Sequence, residues 1–205
     1  MKRNEDVLRS IGDGFSIYQE IMENTYDERK LVINDSIDDT LLEEVCLAIL
    51  EWNKEDIDIP VEKRKKIHIY INSGGGDVIM GRQILSTIKT SKTPIITVGF
   101  SKCTSMASYI LAAGSKRYCF PDTVVLLHDG QSGYYASSNK GKDIQKFYDA
   151  LDERQKKFMI ENTAMTEEFL EDIKDREYYM FSEEAKELGI VDEIIGVDCS
   201  IDEIL

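Results

Sequence analysis

Five short runs rich in β-branched and aromatic residues most constrain how this chain can fold: KLVIN (30–34), IHIYIN (67–72), PIITVGF (94–100), KRYCF (116–120) and TVVLLH (123–128). The first three are each followed by a segment with helical spacing: SIDDTLLEEVCLAILEWNKED, DVIMGRQILSTIKTS and TSMASYILAAG. Buried strands alternating with helices call for parallel pairing and right-handed crossovers, so the class is α/β. In the first helix the apolar stripe is Leu42, Val45, Cys46, Ile49 and Leu50, with Ser36 or Asp38 as cap. A polar, glycine-rich loop, DGQSGYYASSNKG, precedes a long amphipathic helix striped by Ile144, Phe147, Tyr148, Leu151, Phe158 and Met159. MTEEFLEDIKD, with Thr166 as cap, and SEEAKELG predict two further short helices, and IVDEII a last strand. Residues 1–14 are polar and end in GDG, which predicts a flexible arm ahead of a single domain over 15–205.

Composition excludes several classes. A net charge of −14 over 205 residues is the wrong sign for nucleic acid and for anionic membrane surfaces. The four cysteines form no CxxC pair, and two histidines are too few for an obvious zinc site, so no metal is expected. The N-terminal segment has no signal-peptide core and no run is long enough to span a bilayer, which predicts a cytoplasmic location.

Three places can carry chemistry. NSGGGD (72–77) follows a strand and opens a helix, so it is either a tight turn or a set of backbone N–H groups for an anion. Ser105 stands at the start of a helix, as a cap or as a nucleophile at the positive end of the helix dipole. Ser108, one turn on, caps or packs. His128 closes an apolar strand before a glycine-rich loop, where α/β proteins place their sites, and is either structural or a base. His68, inside IHIYIN, reads as packing or surface. Among 39 carboxylates, DREYYMF (175–181) stands out because a charged triplet precedes bulky residues.

Taken together, YINSGGG, TSMASYILAAGSKRYCFPDTVVLLH and DREYYMFSEEAKELGIVDEII resemble the proteolytic subunit of the Clp protease, a serine peptidase family, over about residues 15–196. The resemblance implies a ClpP/crotonase-like fold of repeated ββα units with a protruding handle helix, in a handle region of about 129–165. It implies Ser105 as nucleophile, His128 as base and Glu177 as the acid, with the backbone N–H groups of Gly76 and Met106 as oxyanion hole. Asp175 and Arg176 resemble the pair that links ring assembly to an ordered site. Implied partners are further copies in two stacked heptameric rings, an AAA+ Clp ATPase unfoldase and unfolded polypeptide substrates. No cofactor is implied, ATP being used only by the unfoldase. The chain departs from the family pattern at Glu177 (for Asp), Gly74 (for Pro), Ser101 and Ala107 (for Gly), and in Asp129-Gly130 after the histidine. Competing readings are a weakly active or inactive subunit of mixed rings, a Ser-Lys peptidase using Lys102 or Lys92, and an acyl-CoA enzyme of the same superfold.

Overall fold

The computed structural model describes residues 25–130 and 135–205. The expected arm at 1–14 and part of the loop after His128 lie outside the described residues. The chain runs β1 (Lys30–Ile33), α1 (Asp39–Glu55), β2 (Ile67–Ser73), α2 (Val78–Thr90), β3 (Ile95–Thr104), α3 (Met106–Ala112), β4 (Lys116–Cys119) and β5 (Val124–Leu127). Then follow α4 (Ser138–Asn162), α5 (Glu167–Asp172), β6 (Tyr178–Met180), α6 (Ser182–Glu187) and β7 (Glu193–Ile194). The strands make one seven-stranded sheet, parallel except for β5 against β6. The α/β class with parallel pairing therefore stands.

The long β3 organises the sheet. Its first half pairs with β4, Ile96 facing Lys116 through Gly99 facing Cys119. Its second half pairs instead with β5, Lys102 facing Val124 through Thr104 facing Leu126. The change of neighbour is accompanied by a register shift between Ile71 and Ser73 on β2. The sequence places a helix from Thr104 onward. The structure keeps Lys102, Cys103 and Thr104 in the strand because each has a partner on β5, so α3 begins only at Met106.

Ile67, Ile69 and Ile71 of β2 are fully buried, as are Ile110 and Leu111 of α3, and these fill the layer between sheet and helices. Alpha-helix α2 meets α3 closely at Gly81, where an added Cβ would lie 2.1 Å from the Met106 Cγ. The α1 stripe differs from expectation at Leu50, which is 59% exposed, while Ala48 and Trp52 take the buried side with Val45 and Ile49. Asp38, not Ser36, caps that helix by accepting from the Leu41 N–H at 2.9 Å. Thr166 caps α5 as expected. In α4 only the C-terminal half is anchored: Leu151, Phe158 and Met159 are buried, whereas Phe147 is exposed. The N-terminal turns of the helix bury no residue, so the expected apolar stripe is real in composition but only half used.

His68 on β2 is buried, and its Nδ1 meets no hydrogen-bond partner among the described residues. Burial, reinforced by Lys30, Lys66 and Lys65, pushes its imidazole down from 6.5 to about 4. Below pH 6.5 the unfolded chain takes up a proton that the folded chain refuses, so stability is lost as pH falls from about 6.5 toward 4. The expected loss from this group is about 2 kcal/mol between pH 7 and pH 4.5. Urea midpoints at the two pH values measure it, and His68→Leu should narrow the gap. A variant with the wild-type gap unchanged would rule the histidine out as its source.

Candidate active site

The register of three strands assembles the site. Thr104 on β3 faces Leu126 on β5, so Ser105 emerges from the sheet beside Leu127 and His128. The Ser105 N–H donates to the Leu126 carbonyl at 2.9 Å, which continues the ladder one residue past the strand. On the other side of β5, Leu127 faces Tyr178 of the antiparallel β6. The residue after Leu127 is His128 and the residue before Tyr178 is Glu177, so the antiparallel register sets these two opposite each other.

Side chains complete the line. Ser105 Oγ lies 2.8 Å from His128 Nε2, and His128 Nδ1 lies 2.8 Å from Glu177 Oε1. The structure thus brings Ser105, His128 and Glu177 into one hydrogen-bonded chain. The imidazole is largely covered, its side chain 22% exposed, while the Glu177 side chain is 55% exposed. Glutamate reaches Nδ1 from this backbone position in spite of its extra methylene.

Ser105 occupies the N-cap position of α3, yet its hydroxyl makes no capping hydrogen bond. Its backbone has φ 56 and ψ −130, a left-handed conformation that costs a non-glycine residue of order 1–3 kcal/mol. A capping serine would sit in extended backbone and accept from the first turn. The strain instead turns Oγ out of the helix axis toward the imidazole. Ser108 secures this turn: it is fully buried, and its hydroxyl donates to the Ser105 carbonyl at 2.7 Å. Ser108 thus holds the elbow from inside the helix.

The glycine turn packs against the elbow. Gly75 has φ +94, and a Cβ there would lie 2.6 Å from Ser105 Cβ and 3.1 Å from the Met106 nitrogen. Only glycine fits at that approach. Gly76 forms a bridge with Ile37 in which the Gly75 carbonyl accepts from Ile37 and the Asp77 N–H donates to Ile37. In a parallel bridge the bonds come from the flanking residues, so the Gly76 N–H faces away from Ile37. Met106 is the first residue of α3, and its N–H has no acceptor within the helix. Two amides expected from the sequence to hold an anion are thus left without bonds to their own secondary structure.

Asp175, like Ser105, has positive φ, at 59, and its N–H donates to Asp129 Oδ2 at 2.7 Å. This bond ties the segment carrying Glu177 to the residue after His128. Sequence reasoning noted Asp129 only as a departure from the family pattern, and the antiparallel contact that gives it a partner could not be read from spacing. The Arg176 N–H donates to the Ile173 carbonyl at 3.2 Å. Lys102 Nζ lies 3.9 Å from where a Cβ on Gly74 would sit, and the lysine lines a separate hollow over the glycine turn. Lys92 lies two residues beyond the end of α2, its N–H donating to Asn53 Oδ1.

A cavity of about 270 Å³ opens beside His128, lined by Tyr109, Asp129, Asp152, Lys156 and Asp175 among others. Burial pushes the Tyr109 phenol up to about 12. Burial, with Asp129 and Asp149 nearby, raises the Asp152 carboxyl above its ordinary value. Lys156 is held protonated by hydrogen bonds to Glu171 and Glu167. Among the described residues no group of His, Cys, Asp and Glu could hold a metal ion, and no helix is long and apolar enough to cross a membrane. The four cysteines are free, with Cys103 and Cys119 buried and their thiols pushed up by burial.

Comparison with known proteins gives this geometry its context. Residues 14–198 match the family model described as Clp protease. The chain is also 31% identical, over 178 residues, to the ATP-dependent Clp protease proteolytic subunit 2 of Tropheryma whipplei (strain Twist), covering 86% of this chain and 96% of that protein. The match takes in the glycine turn, the serine elbow, the histidine strand and the β6 segment together, and the chain therefore belongs to the Clp protease family, with the ClpP/crotonase-like fold that the family implies.

Proposed function

We propose that this chain is a serine endopeptidase in which Ser105, His128 and Glu177 form the catalytic relay. The observation that carries the reading is the unbroken hydrogen-bonded line from Ser105 Oγ through the His128 ring to Glu177, launched from a strained elbow. His128 Nε2 takes the Ser105 proton as Oγ attacks a peptide carbonyl. The tetrahedral oxyanion is held by the N–H groups of Gly76 and Met106, a contribution of about 3–4 kcal/mol per donor in comparable enzymes. His128 then protonates the leaving amine, and a water activated by the same ring hydrolyses the acyl-enzyme. Glu177 fixes the Nδ1–H tautomer and steadies the imidazolium.

The same reading includes self-association into stacked heptameric rings around a chamber, with Asp175 and Arg176 linking assembly to the site. An AAA+ Clp ATPase would deliver unfolded polypeptides to it in the cytoplasm, using ATP that this chain does not bind.

Active-site labelling tests the chemistry. A fluorophosphonate should label wild-type protein at Ser105 and leave Ser105→Ala unlabelled. Lys102→Ala should be labelled at the wild-type rate, because the lysine lines the hollow over the glycine turn and it is His128 that meets Oγ. Absence of labelling in the assembled wild-type particle would overturn the peptidase reading. Loss of labelling in Lys102→Ala would move the base to the lysine.

A further inference from the structure

A second polar feature lies in the groove between α2 and α4. Its floor is made by two helical faces at the same spacing. Alpha-helix α2 contributes Ile79 and Arg82, and α4 contributes Phe147, Ala150, Leu151 and Arg154, around a volume of about 400 Å³. Arg82 and Arg154 also border the adjoining hollow toward Lys157 and Phe158.

The arginines are placed against physical expectation. The Arg82 Nη1 is buried with no hydrogen-bond partner among the described residues. Burial first, and the Arg154 charge second, pull the Arg82 guanidinium below its ordinary value. A buried guanidinium nitrogen without a partner is costly, and a second cation beside it adds to the cost. In a chain of net charge −14, with acid abundant, no carboxylate among the described residues bonds to the buried Arg82 Nη1. Glu161, which borders the adjoining hollow, is paired with Lys157 at 3.6 Å. Two forks facing one space, with apolar walls on either side, fit a planar anion carried on an apolar body.

We propose that this groove binds the C-terminal carboxylate of a peptide, with Arg82 and Arg154 on the carboxylate and the terminal side chain against Phe147 and Ile79. The assignment rests on the peptidase reading for its ligand: hydrolysis of an acyl-serine releases a peptide whose new C-terminus ionises at neutral pH. Charge and shape support it: Arg82 and Arg154 border the same space as the exposed Ile79 and Phe147. The two exposed apolar walls, Ile79 and Phe147, are covered when a terminal side chain is seated there.

The test uses full-length Ser105→Ala protein, which cannot turn the probe over. N-acetyl-Ala-Leu-Phe with a free C-terminus and the same peptide as its C-terminal amide are titrated by calorimetry at pH 7. The free acid should bind about tenfold more tightly than the amide, the difference expected for a charge-assisted pair. Adding Arg82→Gln or Arg154→Gln should bring that ratio close to one while leaving the amide's affinity unchanged. Each variant's thermal unfolding is compared with the parent, and Arg154→Gln, on the exposed helix, keeps the test alive if Arg82→Gln misfolds. Equal affinity of acid and amide overturns the proposal. So does a preference that survives both substitutions, which would place the carboxylate on the Gly76 and Met106 amides. A change of particle size in either variant, without a change in the ratio, also overturns it and assigns the arginines to contact between copies. Fluorophosphonate labelling of the two variants on the Ser105 background reads the relay separately, so failure here leaves the peptidase reading standing.

Discussion

Ser105→Ala is expected to lower hydrolysis of an unfolded protein or fluorogenic peptide by at least about 10⁴-fold, with the fold intact. Everything Ser105 gives to the architecture comes from its backbone: the N–H that donates to Leu126 and the carbonyl that accepts from Ser108. Alanine keeps both, and at φ 56 it carries the same strain that serine does. The hydroxyl itself touches His128 and caps nothing, so its loss should shift thermal unfolding by no more than a few degrees. His128→Ala should cost about as much, because an alcohol without its base is no nucleophile at neutral pH. The double variant should be no worse than either single one, since groups that act in one step do not add. Turnover and differential scanning calorimetry on all three decide the matter. Residual activity within tenfold of wild type in Ser105→Ala would mean that the bond-breaking group lies elsewhere.

The sequence makes Ser105 and His128 legible for a physical reason. His128 closes an apolar strand and Ser105 opens the helix that follows another, and in a parallel sheet the ends of neighbouring strands lie together, so two such polar residues become a site once the strands are adjacent. What spacing leaves open is which strands are neighbours. β3 changes partner from β4 to β5 halfway along, and only that change puts Ser105 beside Leu126. The acid lies 49 residues beyond the base and reaches it through an antiparallel strand of three residues, too short to announce itself by periodicity. Glu177 therefore came from motif resemblance alone, and Asp129, whose carboxylate holds Asp175, escaped assignment. The same reasoning explains the stripe on α4. Amphipathic spacing records which residues are apolar, not what covers them, and here the body of the protein covers only the half from Leu151 onward.

The glutamate makes the sharper test of mechanism. Its carboxylate meets His128 Nδ1 at 2.8 Å, while more than half of its side chain faces solvent. Two anchors fix the backbone on which it stands: the pairing of Leu127 with Tyr178 just after it, and the Asp175 bond to Asp129 just before it. The backbone thus cannot follow a shorter side chain inward. Aspartate would withdraw its oxygens by about 1.5 Å, one carbon–carbon bond, beyond hydrogen-bond reach of the ring. Glu177→Asp should consequently fall in kcat, by about tenfold, although aspartate is the residue the family pattern carries. Glu177→Gln keeps the reach but removes the charge that steadies the imidazolium, and its amide can present N–H to Nδ1 and select the wrong tautomer. Its kcat should drop by about 10²–10³-fold, less than for a fully buried acid, because solvent at this exposed position supplies part of the lost stabilisation. KM should change little in both, since neither side chain reaches toward the scissile bond. An aspartate variant as active as wild type would mean that β6 moves to meet the ring. A glutamine variant retaining more than half its activity would remove Glu177 from the mechanism and leave a Ser-His pair.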